Sequence, residues 1–183
     1  EPLNGAVVLL NMEVGETTLR RWMRDAGIQR SEQVVLANLR GKASALTLAT
    51  DKGRQRFAEF LTECQAEAVI LDPLAPVLAM LGLDENSNAD VGRFFSWWSE
   101  ALHLAGVRDD LVVHHAGHAG QRSRGASRLL DEPDAIWTLT RDTADKDQEF
   151  SSLEATRFLS AYGRDVDMEA EELIFDSESR RLS

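Results

Sequence analysis

In this sequence four sets of polar residues stand just beyond short apolar runs. They are Glu13 after AVVLLNM, Asp72 closing AVILD, His114, His115 and His118 in VVHHAGH, and Arg122 and Arg124 in QRSRG. Such places matter because ligands of open parallel sheets sit beyond the carboxyl ends of the strands. An acid that ends an apolar strand, as Asp72 does, can hold a magnesium ion or its water beside bound phosphates. An Asp-Pro turn would show the same residues. Glu13 precedes an amphipathic stretch, so its carboxylate can enter the same cleft and take a proton from, or orient, an attacking water. A solvated loop acid is the plainer reading. Closely spaced imidazoles could share zinc, but no cysteine pair accompanies them, and Gly117 and Gly120 suit a loop better than a ligand cage. A strand-end histidine can instead hydrogen-bond a phosphate oxygen and report whether the terminal phosphate is present. Arg122 and Arg124 carry the planar donor fork that phosphates require, although a basic surface loop would carry it too.

The elements that must position these residues follow from the spacing of apolar side chains. Ala6 to Asn11, Val34 to Leu39, Ala68 to Leu71, Leu111 to His114 and Ala135 to Leu139 read as strands, three of them continuously apolar, as strands buried on both faces are. Between them, Glu16 to Ala26 puts Leu19, Trp22 and Met23 on one helix face, and Arg54 to Ala66 gathers Phe57, Phe60, Leu61 and Cys64. Asp90 to Ala105 gathers Phe94, Trp97, Trp98, Ala101 and Leu102. Alternation of this kind predicts an α/β fold, a mainly parallel sheet flanked by helices. Asp84 to Asp90 is a polar loop offering N-caps to the helix after it. A polar linker from Asp142 to Gln148 then leads to strands at Arg157 to Tyr162 and Glu172 to Phe175, separated by Gly163 and a run of acids, which predict a C-terminal antiparallel hairpin. The stretch Met168 to Leu173 could equally start as helix. The domain expectation is a core over residues 1–141, with 142–183 supplying linker and hairpin of the same domain.

Composition narrows the function classes. The chain of 183 residues carries 20 basic against 31 acidic side chains, net charge −11. A protein that coats nucleic acid by bulk charge is therefore excluded, and any nucleic-acid contact must be local. The single cysteine, Cys64, cannot form an internal disulfide. No apolar run approaches the roughly 18 residues of a membrane span. A reducing cytoplasm is the expected location, with no membrane partner.

Taken in order, VVLLNMEVGETTLRRWMRDAGI, AVILDPLAPVL and VVHHAGH followed by SRGASRLLDEPDAIWTL resemble the RepA-like group of RecA-fold ATPases, relatives of the DnaB replicative helicases and of KaiC. The resemblance covers roughly Leu3 to Arg141. It implies an ATPase with ATP and magnesium as ligands. Glu13 would be its catalytic carboxylate and Asp72 its magnesium-linked Walker B acid. His115, with His114 beside it, would sense the terminal phosphate, Arg122 would contact phosphate, and Arg124 would reach into a neighbouring subunit as an arginine finger. The resemblance further implies a homo-oligomeric ring, a hexamer, with Gly117 to Gln121 facing a channel for single-stranded DNA.

One departure from the family pattern is large: no GxxxxGK[ST] phosphate loop occurs. Gly41-Lys42 is followed by Ala43, has no glycine five positions before it and follows a different strand. The family places that loop and its strand upstream of Ala6. The expectation is therefore a fragment, its natural chain longer by roughly 30 to 60 residues and the piece alone inactive. Two rivals stand beside the motor-domain reading: a catalytically inactive RecA-like assembly or binding module, and a metal-dependent hydrolase using the HHAGH histidines with Asp72.

Overall fold

A computed structural model describes residues 3–115, 127–141, 156–176 and 181–182. The chain forms two compact units, Glu1–Leu129 and Leu130–Ser183.

The first unit is built on a four-stranded parallel sheet. Its strands are β1 (Ala6–Asn11), β2 (Val34–Asn38), β3 (Ala66–Asp72) and β4 (Asp109–Val112), in the order β2-β1-β3-β4. The continuous apolar runs that predicted these strands lie in its middle: Val8 and Leu10 of β1 and Val69 and Leu71 of β3 are all sealed from solvent. Helices α1 (Glu16–Asp25), α2 (Asp51–Glu63), α3 (Ala75–Leu81) and α4 (Asn88–Ala105) make the crossovers.

The chemistry at their ends explains where these helices begin and stop. Thr50 caps α2 by accepting from the Gly53 N–H, and Ser87, in the predicted capping loop, does the same for α4 through the Asp90 N–H. Gly106, at φ 71°, closes α4 in the left-handed conformation that side chains resist. The helix expected over 54–66 begins earlier, at Asp51, because of the Thr50 cap. It also ends earlier, because Ala66 already pairs with Ala6 in the sheet. The short helix α3 went unforeseen: LAPVLAML is apolar on every side and carries no 3.6-residue signature.

Helices α2 and α4 pack through aromatic rings. Trp98 lies 5.7 Å from Phe57 and 5.9 Å from Phe94, centroid to centroid, and its indole N–H donates to Asp110 Oδ2 at 2.8 Å. The buried Arg54 of α2 ties the same layer together. Its Nη1 donates to the Leu48 carbonyl at 2.8 Å, its Nη2 pairs with Asp51, and its Nε lies 2.9 Å from Glu100 of α4. Gly53 is required here, since a Cβ would stand 1.8 Å from the Thr47 carbonyl oxygen. Gly41-Lys42 forms a turn after β2, with the Lys42 N–H donating to Leu39 and Gly41 at φ 71°.

The second unit carries the antiparallel sheet β5 (Ala135–Arg141), β6 (Arg157–Gly163) and β7 (Asp167–Leu173), in that order; α5 (Arg128–Asp131) precedes it and a short pair, β8 (Phe175–Asp176) with β9 (Arg181–Leu182), follows. Two expectations are corrected. β5 was grouped with the parallel strands, but it pairs antiparallel with β6. Along AIWTLTR exposure alternates from Ile136 to Thr140, and the open positions are the apolar Trp137 and Leu139, each more than half exposed, while Thr138 and Thr140 are half-buried. The last hairpin strand begins at Asp167 rather than Glu172, and Met168 to Leu173 is strand, held by pairing with β6. Gly163 permits the close turn beside it, a Cβ there standing 2.2 Å from the Asp134 carbonyl. Among the described residues no helix is long and apolar enough to cross a membrane.

Candidate active site

Parallel register brings the ends of three neighbouring strands to one level. Asn11, the last residue of β1, is in register with Asn38 of β2 and Asp72 of β3. Pairing continues one step further, the Met12 N–H donating to the Asp72 carbonyl at 2.8 Å and the Leu39 N–H to the Asn11 carbonyl at 2.8 Å. On the other side Val113 is laced to the same level: its N–H donates to the Leu71 carbonyl and its carbonyl accepts from Leu74, both at 2.9 Å. The loops carrying Glu13, Asp72, His114 and His115 therefore leave the sheet side by side.

Alternation at the β1 end sends Met12 into the core and Glu13 outward. The Glu13 carboxylate meets His115, Oε2 lying 3.1 Å from Nε2, with both side chains more than half exposed. His114 is half-buried where its neighbour is open, so of the adjacent pair it is His115 that reaches the carboxylate. The half-buried Asp72 completes the group. Burial pushes its carboxyl above the usual range, His115 pulls it down and the charge of Glu13 pushes it further up. Charges from the β1 and β4 ends thus act on the Asp72 carboxyl at the β3 end, the kind of coupling from which active sites are built.

Arg122, Arg124, His118 and the Gly117 to Gln121 segment lie outside the described residues. Among the described residues no three His, Cys, Asp or Glu side chains converge as a metal cage. A magnesium ion bound beside phosphates needs no such cage, since one or two carboxylates suffice and the phosphates and water complete the shell. Asp72 and Glu13 fit that requirement as a pair of acids at the carboxyl ends of the two central strands, β3 and β1. A hollow of about 440 Å3 in the second unit, lined by Asp134, Tyr162, Arg164 and Asp167 among others, has its arginine already paired to Asp134 at 2.6 Å. It gathers none of the residues singled out above.

Sequence reasoning passed over Asn11 and Asn38. Asn11 is 2% exposed yet polar, and its carboxamide is fully engaged. The available signal was an asparagine at the last position of an otherwise apolar strand, in register with a second asparagine one crossover later.

A helix-flanked parallel α/β sheet followed by an antiparallel sheet is the architecture of the RecA-like fold. The profile of the AAA domain matches residues 1–121, and the chain belongs to that family. Among solved structures it is similar to a KaiC-like protein from the hyperthermophilic archaeon Pyrococcus horikoshii OT3. That alignment has a TM-score of 0.61 at 13% identity and covers 98% of this chain and 76% of the other. No curated protein matches the chain.

Proposed function

We propose that the protein is the ATP-hydrolysing motor domain of a RepA-like or DnaB-like helicase, or of a related DNA-replication ATPase. In this reading it works in the cytoplasm as a homo-hexameric ring on single-stranded DNA, with ATP and magnesium. The observation that carries the reading is the meeting of Glu13, Asp72 and His115 at the ends of three adjacent parallel strands.

Each residue then has a role set by its place. Asp72 holds magnesium or a water of its shell, and the ion, when bound, offsets charge on the phosphates. Glu13, exposed and next to that acid, orients the attacking water and accepts its proton. His115, which meets Glu13 at these strand ends, turns to the terminal phosphate and so reports nucleotide state; His114 contributes from the same strand end. By the family resemblance rather than by place, Arg122 contacts phosphate and Arg124 acts across a subunit boundary to stabilise charge in the transition state.

The test is Glu13→Gln in the full-length protein. Hydrolysis should fall by orders of magnitude while ATP affinity stays within a few-fold, because the carboxylate acts on water rather than on nucleotide. Loss of ATP binding with the substitution would make Glu13 structural. A wild-type protein that binds no nucleotide would favour the non-catalytic assembly module instead.

A further inference from the structure

We infer that Asn11 is a positioning residue, whose carboxamide sets the Glu13 carboxylate in place by clamping the loop that carries it. The inference rests on the assignment of Glu13 as the water-orienting carboxylate.

Asn11 ends β1 with its side chain turned into the protein, 2% exposed. Its Oδ1 accepts from the Val14 N–H at 3.0 Å and its Nδ2 donates to the Val14 carbonyl at 2.6 Å. One carboxamide thus engages both backbone groups of the same residue, as a neighbouring strand would. Only Met12 and Glu13 lie between the clamped ends. Met12 is anchored by burial and by its N–H to the Asp72 carbonyl, which leaves Glu13 as the single residue thrown outward. Nδ2 also donates to Asn38 Oδ1 at 3.3 Å, and that oxygen accepts from the Arg40 N–H at 3.2 Å. The loop is thereby referenced to β2 as well as to β3. A buried polar group with this many partners is retained for geometry, since an apolar side chain of the same size would avoid the cost of desolvating a carboxamide.

The geometry matters because the Glu13 side chain is itself more than half exposed where its carboxylate meets His115. Its placement is inherited from the backbone below, and a displacement of about 1 Å at such a group can lower a rate on the order of 100-fold.

The experiment compares Asn11→Leu, Asn11→Asp, Glu13→Gln and the double variant Asn11→Leu with Glu13→Gln, all in the full-length protein. Leucine is close in volume but has neither donor nor acceptor; aspartate keeps the acceptor for the Val14 N–H and loses both donors. We expect Asn11→Leu to lower kcat by about 10- to 100-fold with KM for ATP within about twofold, and Asn11→Asp to fall between it and wild type. In the Glu13→Gln background Asn11→Leu should add nothing, because its effect passes through that carboxylate. Hydrogen exchange at the Val14 amide should accelerate in Asn11→Leu while the amides of β1 keep their protection. If Asn11→Leu does not fold, Asn11→Asp carries the same comparison. The inference is overturned if kcat is unchanged while Glu13→Gln abolishes turnover, if the loss lies in KM, or if it adds fully to that of Glu13→Gln. A turnover indifferent to Glu13→Gln overturns the assignment of Glu13 first, and the inference with it.

Discussion

Two buried polar side chains of the first unit, Asn11 and Arg54, show how differently its two layers use polarity. Asn11 sits at the sheet end, neutral, and spends its hydrogen bonds on the backbone of a loop whose outermost side chain, Glu13, stays open to solvent. Arg54 sits in the helical layer, charged, and joins the Leu48 carbonyl, Asp51 and Glu100 around a cluster in which Phe94 and Trp98 are almost fully enclosed. The first network holds exposed groups in a chosen geometry, while the second holds packed groups together. Changes at the sheet end should therefore alter chemistry with little effect on stability, and changes in the helical layer should do the reverse.

The sharpest way to break that contrast is Trp98→Ala. It removes the largest fully buried side chain, its ring contacts with Phe57 and Phe94 and its bond to Asp110. Unfolding free energy should drop by about 3 to 5 kcal/mol in urea titrations. Glu13→Gln in the same assay should stay within about 0.5 kcal/mol of wild type, as exposed substitutions do. Equal destabilisation by the two would erase the distinction.

Asp72 supplies a test of intermediate size, and its sign is informative. Its folded-state pKa is raised, chiefly by burial, so between the unfolded and folded values the native state binds more protons than the unfolded chain. Stability contributed by this group consequently falls as pH rises through that window, and above it the buried charge is a standing cost. Asp72→Asn should melt at higher temperature than wild type at neutral pH without nucleotide. The gap should close once the pH falls below the ordinary carboxylate range, where both are neutral. Thermal scans across pH decide this, and a lower neutral-pH melting temperature for Asp72→Asn would show that the carboxylate holds the fold together.

The smallest expected effect is Ser87→Ala at the start of α4. It removes one cap to the Asp90 N–H and should cost about 1 kcal/mol, measured by the same titration, with hydrolysis per folded molecule unchanged. A change in turnover would mean that α4 is coupled to the sheet end after all.

Much of this molecule was legible in its amino-acid order because the relevant signals are local. Continuous apolar runs gave away β1 and β3, a polar loop with Ser87 announced the start of α4, and Glu13, Asp72 and His115 stood out simply by following strands. Local pattern failed where it was uniform, as in α3, or where it marked a strand without saying which way its neighbour would run, as with β5 against β6.

What the sequence determined by itself was which residues end strands, since the period of the hydrophobic pattern is written in neighbouring positions. Tertiary structure decided which of those ends lie side by side. Register across crossovers placed Asn11 level with Asn38 and Asp72, selected His115 over His114 as the partner of Glu13, and gave Asp72 the burial that raises its pKa. Those outcomes depend on which strands become neighbours, and that is settled by burying the helices and sheet against one another, a contest in which distant parts of the chain take part equally.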